Sequence, residues 1–228
     1  VGGKTGINAQ AGKNLIGAFH QPKIVLTDTN LLNSLSKREL LSGYAEILKY
    51  GLLGDANFFN WLEKNWSDIL DLKQDKVIYA VKRSCEMKAE IVASDETEKG
   101  TRALLNLGHT FAHAFEAIAK YNGELLHGEA VSLGMVLAAR FSMEEGYLSE
   151  NKVDDIKDHL NTMKLPTLIA QIHNNKLNVA KILSLMKQDK KVVGNNINLI
   201  LLKDIGNGFI RKNVSFEKLE KFLQSRLS

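Results

Sequence analysis

The chain has 228 residues, 44% hydrophobic and 25% charged, which suits a globular protein of one large or two small domains. Its 30 Lys and Arg against 26 Asp and Glu leave a net charge of +4. The lysines are spread along the chain and alternate with acids. Without basic clusters and interleaved aromatics they describe a solvated surface, so a nucleic-acid groove is not expected. A small anionic substrate is compatible with this charge but not demanded by it. Cys85 is the single cysteine, which excludes an internal disulfide framework and fits a reducing cytoplasm. The most apolar stretch, Ala130 to Phe141, is broken by Ser132 and Gly134 and is too short to span a bilayer, so no membrane partner is expected. The first residues, Val1-Gly2-Gly3-Lys4, carry no signal peptide and no starting methionine, so a fragment of a longer chain is expected.

In chain order, the opening VGGKTGINAQAGKNLIGAF is rich in glycine and small residues, and KIVLTD reads as a short buried strand. From Ser36 the pattern turns helical. Ser36 and Glu39 have capping-box spacing, and the helix runs on through RELLSGYAEILKYGLL. Further helices are predicted over about Asp55 to Asn65 and Lys73 to Ala93. After the acidic loop DETEKG comes a helix through LLNLGHTFAHAFE, then a long one from near His127 to about Gly146. Helices near Asn151 to Met163 and Val179 to Gln188 precede a β-hairpin over KVVGNNINLILL, with its turn at Gly194-Asn195-Asn196. A terminal helix starts at Ser215. The expected fold is mainly α. A short α/β remnant occupies residues 1–34, and a mainly helical domain with a small β-hairpin near its end occupies 35–228.

Several residues stand out chemically. At about 100° per residue, Arg102, Asn106, His109 and His113 share one helical stripe roughly 60° wide. Leu104, Leu107, Phe111, Phe115 and Ile118 cover the other side. One face packs, and the other presents an arginine, an amide and two imidazoles. His109 and His113 alone are a weak metal signal, and such a pair is more often satisfied by core hydrogen bonds. His127 opens the next helix and can swing back toward them. Glu46, one turn from Lys49, offers the carboxylate that would make a two-histidine, one-carboxylate catalytic site with an open position. It also fits a half-exposed amphipathic helix. Lys88 shares the i, i+4, i+7, i+11 seam of Val81, Cys85 and Val92, so it must snorkel, pair with an acid or bind an anion. With Arg102 it would cradle a phosphate or carboxylate. Glu98 precedes a helix, where the dipole favours an acid. Lys4, Lys13 and Asn14 lie in the glycine-rich opening, where backbone can approach a ligand closely.

Together these residues resemble the 3-dehydroquinate synthase family. VGGKTGIN, GKNLIGAFHQP, LSGYAEILKYG, KAEIVASDETEKGTRALLNLGHTFAHAFE, LLHGEAVSLGM and QDKKV stand in the family's order and approximate spacing over most of the chain. The resemblance implies a build similar to the polyol dehydrogenases, with an N-terminal NAD-binding α/β domain and a C-terminal helical domain holding one divalent metal, zinc or cobalt. By motif match Glu46, His109 and His127 would be the metal ligands. His113 and Glu98 would transfer protons, Glu98 by way of water. Lys49, Lys88, Arg102, Asn106, Lys4 and Asn14 would contact substrate, with Lys49 beside the reacting centre, joined by Lys190 or Lys191. Lys13 and Ser34 would lie by the NAD.

The implied reaction is the shikimate-pathway conversion of 3-deoxy-D-arabino-heptulosonate 7-phosphate, a small phosphorylated sugar acid, to 3-dehydroquinate and phosphate, toward aromatic amino acids. NAD-dependent oxidation acidifies the neighbouring proton, phosphate is eliminated, reduction follows, and an intramolecular aldol closes the ring. NAD is regenerated. The resemblance further implies a cytoplasmic homodimer. Ala112 stands where the family often has glycine, a small change that leaves room for tight helix packing. Most of the NAD-binding domain is missing, so the chain alone is expected not to turn over. Alternatives are a related sugar-phosphate cyclase, an iron-type alcohol dehydrogenase, which would yield net NADH, and a non-catalytic helical binding module.

Overall fold

A helix apolar on every side can be satisfied only in the middle of a protein. The segment AVSLGMVLAARFS supplies one. In the computed structural model, which describes residues 1–9, 12–98, 100–119, 123–172, 178–188, 192–193 and 195–227, it forms the body of a buried central helix.

Ahead of it, in order, come the strands β1 (Ile7–Ala9) and β2 (Gly12–Ile16), then the helices α1 (Lys37–Gly54), α2 (Ala56–Leu70), α3 (Gln74–Ser94) and α4 (His109–Ile118). The central helix is α5 (His127–Glu144). After it come α6 (Glu150–Thr162), α7 (Val179–Met186), β3 (Val192–Val193), β4 (Asn196–Asp204), β5 (Asn207–Ser215) and α8 (Phe216–Leu227). Helices α1, α4 and α6 and strand β4 pack on α5. Ser132 and Ser142 are buried there without loss, because Ser132 donates to the Pro166 carbonyl (2.9 Å) and Ser142 to that of Ala138 (2.7 Å). Among the described residues no helix is long and apolar enough to cross a membrane.

The mainly helical expectation and its helix positions hold to within a few residues, α2 running further than read. The Ser36–Glu39 capping box closes the first turn of α1, with Ser36 N–H donating to Glu39 (2.7 Å) and Glu39 N–H to Ser36 (3.3 Å).

Four local readings are corrected. KIVLTD forms no strand: Ile24, Val25 and Leu26 are exposed, at 73%, 48% and 85%. A continuous apolar run becomes a strand when both faces are covered, and among the described residues no strand lies beside this one. The glycine-rich opening, where no strand is read from the sequence, contains the antiparallel pair β1–β2, with Ile7 opposite Ile16. The helix carrying the polar stripe is two pieces. Thr101–Asn106 is a 3₁₀ turn, and Gly108, at φ +77°, breaks the chain before α4 begins at His109. Finally, the C-terminal hairpin is larger than read. β3 pairs with β4 (Val193 opposite Asn196), but β4 also pairs along its length with the unforeseen β5, Ile200 opposite Ile210. Of the turn residues read for β3–β4, Gly194 lies outside the described residues. The β4–β5 turn at Ile205-Gly206 is fastened to the end of α1, Gly206 N–H donating to the Leu52 carbonyl at 2.9 Å.

Candidate active site

Three helix positions converge. Glu46 comes from the middle of α1, His109 is the first residue of α4, and His127 is the first residue of α5. Close backbone approach brings the helices together. A Cβ on Gly128 would stand 2.0 Å from the Ser42 carbonyl oxygen, and Gly128 N–H donates to the Ser42 hydroxyl at 2.9 Å. The first turns of the same two helices are clamped by Arg38, which donates to both oxygens of Glu129 (2.6 and 2.7 Å).

Ligand-capable atoms of Glu46, His109 and His127 all lie within 4.8 Å of one another. Glu46 Oε1 is 3.5 Å from His109 Nε2 and 3.4 Å from His127 Nε2, and it is buried with no hydrogen bond. A buried carboxylate oxygen without a donor is costly unless a cation occupies the space it faces. His109 Nδ1 lies 3.0 Å from the Leu107 carbonyl, which can only accept, so Nδ1 carries the proton and Nε2 turns its lone pair toward Glu46. One carboxylate and two imidazoles with room for a further ligand match a catalytic divalent-metal site, so the residues present fit the ion.

The charges are strongly coupled. Burial pushes the His109 imidazole down to about 3, helped by the Lys49 ammonium. His127 goes the other way, up to about 9, because Glu116 and Glu46 flank it. Burial acts to raise the Glu46 carboxyl, but His127, Lys49 and His109 outweigh it and hold it well below the usual range.

Beside this cluster opens a cleft of about 260 Å³. Four cations line it: Lys4, Lys49, Lys88 and Arg102. Lys49 is only 4% exposed and donates to Glu46 Oε2 at 2.7 Å. Arg102, 2% exposed, donates to the carbonyls of Glu96 (2.5 Å) and Gly2, leaving further guanidinium donors for a ligand. Lys88 is half-buried, and burial together with the nearby Lys49 lowers its pKa. Asn106 and Glu98 complete the wall. Glu98 receives hydrogen bonds from Lys4 and from Asn106 (3.0 Å). Burial acts to raise its pKa, but these two donors win and the carboxyl is held down. Its backbone sits at φ +60°, a conformation non-glycine residues adopt only under constraint.

His113 is exposed, its ring 5.6 Å from that of His109. Ser34 ends a 3₁₀ turn, donates to the Leu31 carbonyl at 2.7 Å and lies away from the cleft lining. Lys13 and Asn14 are on β2, their side chains outside what the structure describes, and Lys190 and Lys191 fall outside the described residues altogether. Two neighbours escaped the sequence reading. Tyr50 lines the cleft next to Lys49, and Glu116, 5% exposed, approaches His127. The signal for Glu116 was an acid inside the apolar run HAFEAI.

Comparison with known proteins is consistent with this geometry. The family model described as 3-dehydroquinate synthase C-terminal matches residues 43–192, and that described as 3-dehydroquinate synthase N-terminal matches residues 1–42. A 3-dehydroquinate synthase of Ruegeria sp. strain TM1040 is 49% identical over 228 residues, covering 100% of this chain and 61% of the relative. One from Bradyrhizobium sp. strain BTAi1 is 50% identical, covering 100% and 60%. Among solved structures, the 2-epi-5-epi-valiolone synthase of Streptomyces hygroscopicus subsp. jinggangensis 5008, with NAD+ and Zn2+ bound, superposes with a TM-score of 0.86 at 27% identity, covering 100% of this chain and 62% of that one. The chain thus spans about three-fifths of the length of the curated relatives it matches. It belongs to the 3-dehydroquinate synthase family.

Proposed function

We propose that this chain is the metal- and substrate-holding part of a 3-dehydroquinate synthase that acts on 3-deoxy-D-arabino-heptulosonate 7-phosphate, with NAD and one divalent ion, zinc or cobalt. The observation that carries this reading is the bare Glu46 Oε1 between two histidine Nε2 atoms, opening onto a cleft lined by four cations. When bound, the metal would supply Lewis acidity toward a substrate hydroxyl and NAD a hydride acceptor. Lys88, Arg102, Lys4 and Asn106, with Asn14 and one of Lys190 and Lys191, bind the phosphate, carboxylate and hydroxyls. Lys49, desolvated against Glu46, orients the reacting end of the substrate. Glu98, held ionised by Lys4 and Asn106, accepts a proton through water, and His113 moves a second proton at the open side of the site. Lys13 and Ser34 serve the NAD. The reading includes a cytoplasmic homodimer, as the resemblance to the family implies.

Elemental analysis of the purified chain beside His109→Ala tests it. About one zinc or cobalt per chain, lost in the variant, is expected. Wild-type protein that takes up no metal from excess zinc would overturn the metal centre. A second reading, a cyclase of the valiolone type, is favoured by the likeness to the Streptomyces enzyme. Competitive titration decides between them: tighter binding of sedoheptulose 7-phosphate than of the heptulosonate would replace the first reading with the second.

A further inference from the structure

We propose that Glu116 is a positioning residue for the metal centre, holding the His127 imidazole by Nδ1 so that Nε2 is presented to the site it shares with Glu46 and His109. The inference rests on the metal-centre reading above. Glu116 lies on α4 between Phe115 and Ala117, with Phe115 fully buried and Glu116 itself 5% exposed. A carboxylate in such surroundings is costly unless a partner compensates it. One partner is His127: Glu116 Oε1 stands 3.1 Å from its Nδ1, while Nε2 on the far side of the ring is 3.4 Å from Glu46 Oε1. The Nδ1 contact is an electrostatic approach, without the alignment of a hydrogen bond.

A neutral imidazole has one proton for two nitrogens. A carboxylate facing Nδ1 keeps the proton there and leaves the lone pair on Nε2. The two histidines are therefore supported differently. His109 is hydrogen-bonded to a neutral backbone carbonyl, that of Leu107, whereas His127 faces a charged side chain. A carboxylate behind a ligating imidazole fixes its orientation and raises its basicity. Glu116 also adds a second negative charge, after Glu46, beside the space a divalent cation would occupy. Because Glu116 is seven residues from His109 on the same helix, α4 supplies one ligand directly and orients another on α5. The two ligands thereby share one rigid support.

The test is zinc affinity by competition with a chromophoric chelator, for wild type, Glu116→Gln and Glu116→Ala, with unfolding midpoints measured in chelator. Visible spectra of the cobalt-loaded proteins give the ligand geometry. Glu116→Gln keeps an acceptor but loses the charge, so about a tenfold loss of affinity is expected, with Glu116→Ala nearer a hundredfold. The alanine variant should also show an altered cobalt spectrum. Should Glu116→Ala fail to fold, the near-isosteric glutamine variant carries the test alone. Stoichiometric zinc binding by Glu116→Gln within twofold of wild type, with an unchanged cobalt spectrum, would overturn the role of Glu116 while leaving the metal centre intact. Loss of metal from wild type itself would instead overturn the centre, and this proposal with it.

Discussion

Gly134 of α5 and Gly108, just ahead of α4, meet backbone to backbone: a Cβ on Gly134 would stand 2.2 Å from the Gly108 carbonyl oxygen. The contact sets how closely α4 and α5 cross, and hence how far His109 lies from His127. It also locks the turn that lets the Leu107 carbonyl face His109 Nδ1. Gly134→Ala must push the two helices apart, since backbone cannot swing aside as a flexible side chain can. The expected loss is about 1–3 kcal/mol in denaturant unfolding, with weaker zinc binding in protein that remains folded. Wild-type stability and zinc affinity in the variant would contradict this.

The Arg38–Glu129 clamp acts on the same geometry from the other end. Arg38 also donates to the carbonyls of Gly123 (3.3 Å) and Glu124 (2.6 Å), tying the residues before α5 to the first turn of α1. Arg38 is half-exposed, so its removal should change global stability little. Arg38→Ala is expected to speed protease cleavage within residues 123–126 severalfold at an almost unchanged unfolding midpoint. Equal cleavage rates would show that the clamp does not order this segment.

Lys88 offers a separation of binding from folding. It is half-buried beside two other cations, Lys49 and Arg102, and burial followed by Lys49 lowers its pKa. Replacing it by an apolar chain of similar length removes that repulsion. Lys88→Met should raise or preserve the unfolding midpoint while weakening the binding of inorganic phosphate about tenfold or more at low salt. Unchanged phosphate affinity would mean that the lysine only snorkels.

Away from the site, His159 makes stability depend on pH. Its Nε2 is 3.0 Å from the Tyr44 hydroxyl, the pair is buried against Phe59, and burial pushes the imidazole down to about 4. The unfolded chain takes up its proton near pH 6.5, so between about 6.5 and 4 it binds more protons than the folded one. The stabilisation is complete above pH 6.5 and is lost as pH falls through that window, by on the order of 3 kcal/mol at most. His159→Leu should flatten this part of the stability–pH curve, since Tyr44 keeps the Leu62 carbonyl (3.3 Å) as an acceptor. An unaltered slope would assign the dependence to other groups.

The helices were legible from local signals. Ser36 with Glu39 marks the start of α1, and the apolar content of α5 marks it as the centre of the fold. The polar stripe was less secure. Arg102, Asn106 and His109 all line the cleft, yet not by sharing a helix, because a single positive φ at Gly108 lies within a pattern that periodicity reads as continuous. The exposed run Ile24–Leu26 shows the same limit for strands, since an apolar run does not say what will cover it. Strand β5 was missed because FIRKNVS carries charges and no clean alternation, and its partner β4 supplies most of the buried surface.

What the sequence by itself determined was the set of helices, the chemical types available at Glu46, His109, His127, Lys88 and Arg102, and the family those motifs carry. Those follow from local propensity and from residue identity, which do not depend on neighbours distant in the chain. Only the tertiary structure decided that Glu46 Oε1 is buried without a donor between two Nε2 atoms, and that Glu116 stands behind His127. Both depend on helix crossings set by glycine-to-backbone contacts at Gly128 and Gly134. Spacing along one helix places side chains on a face, whereas the distance between faces is a property of packing.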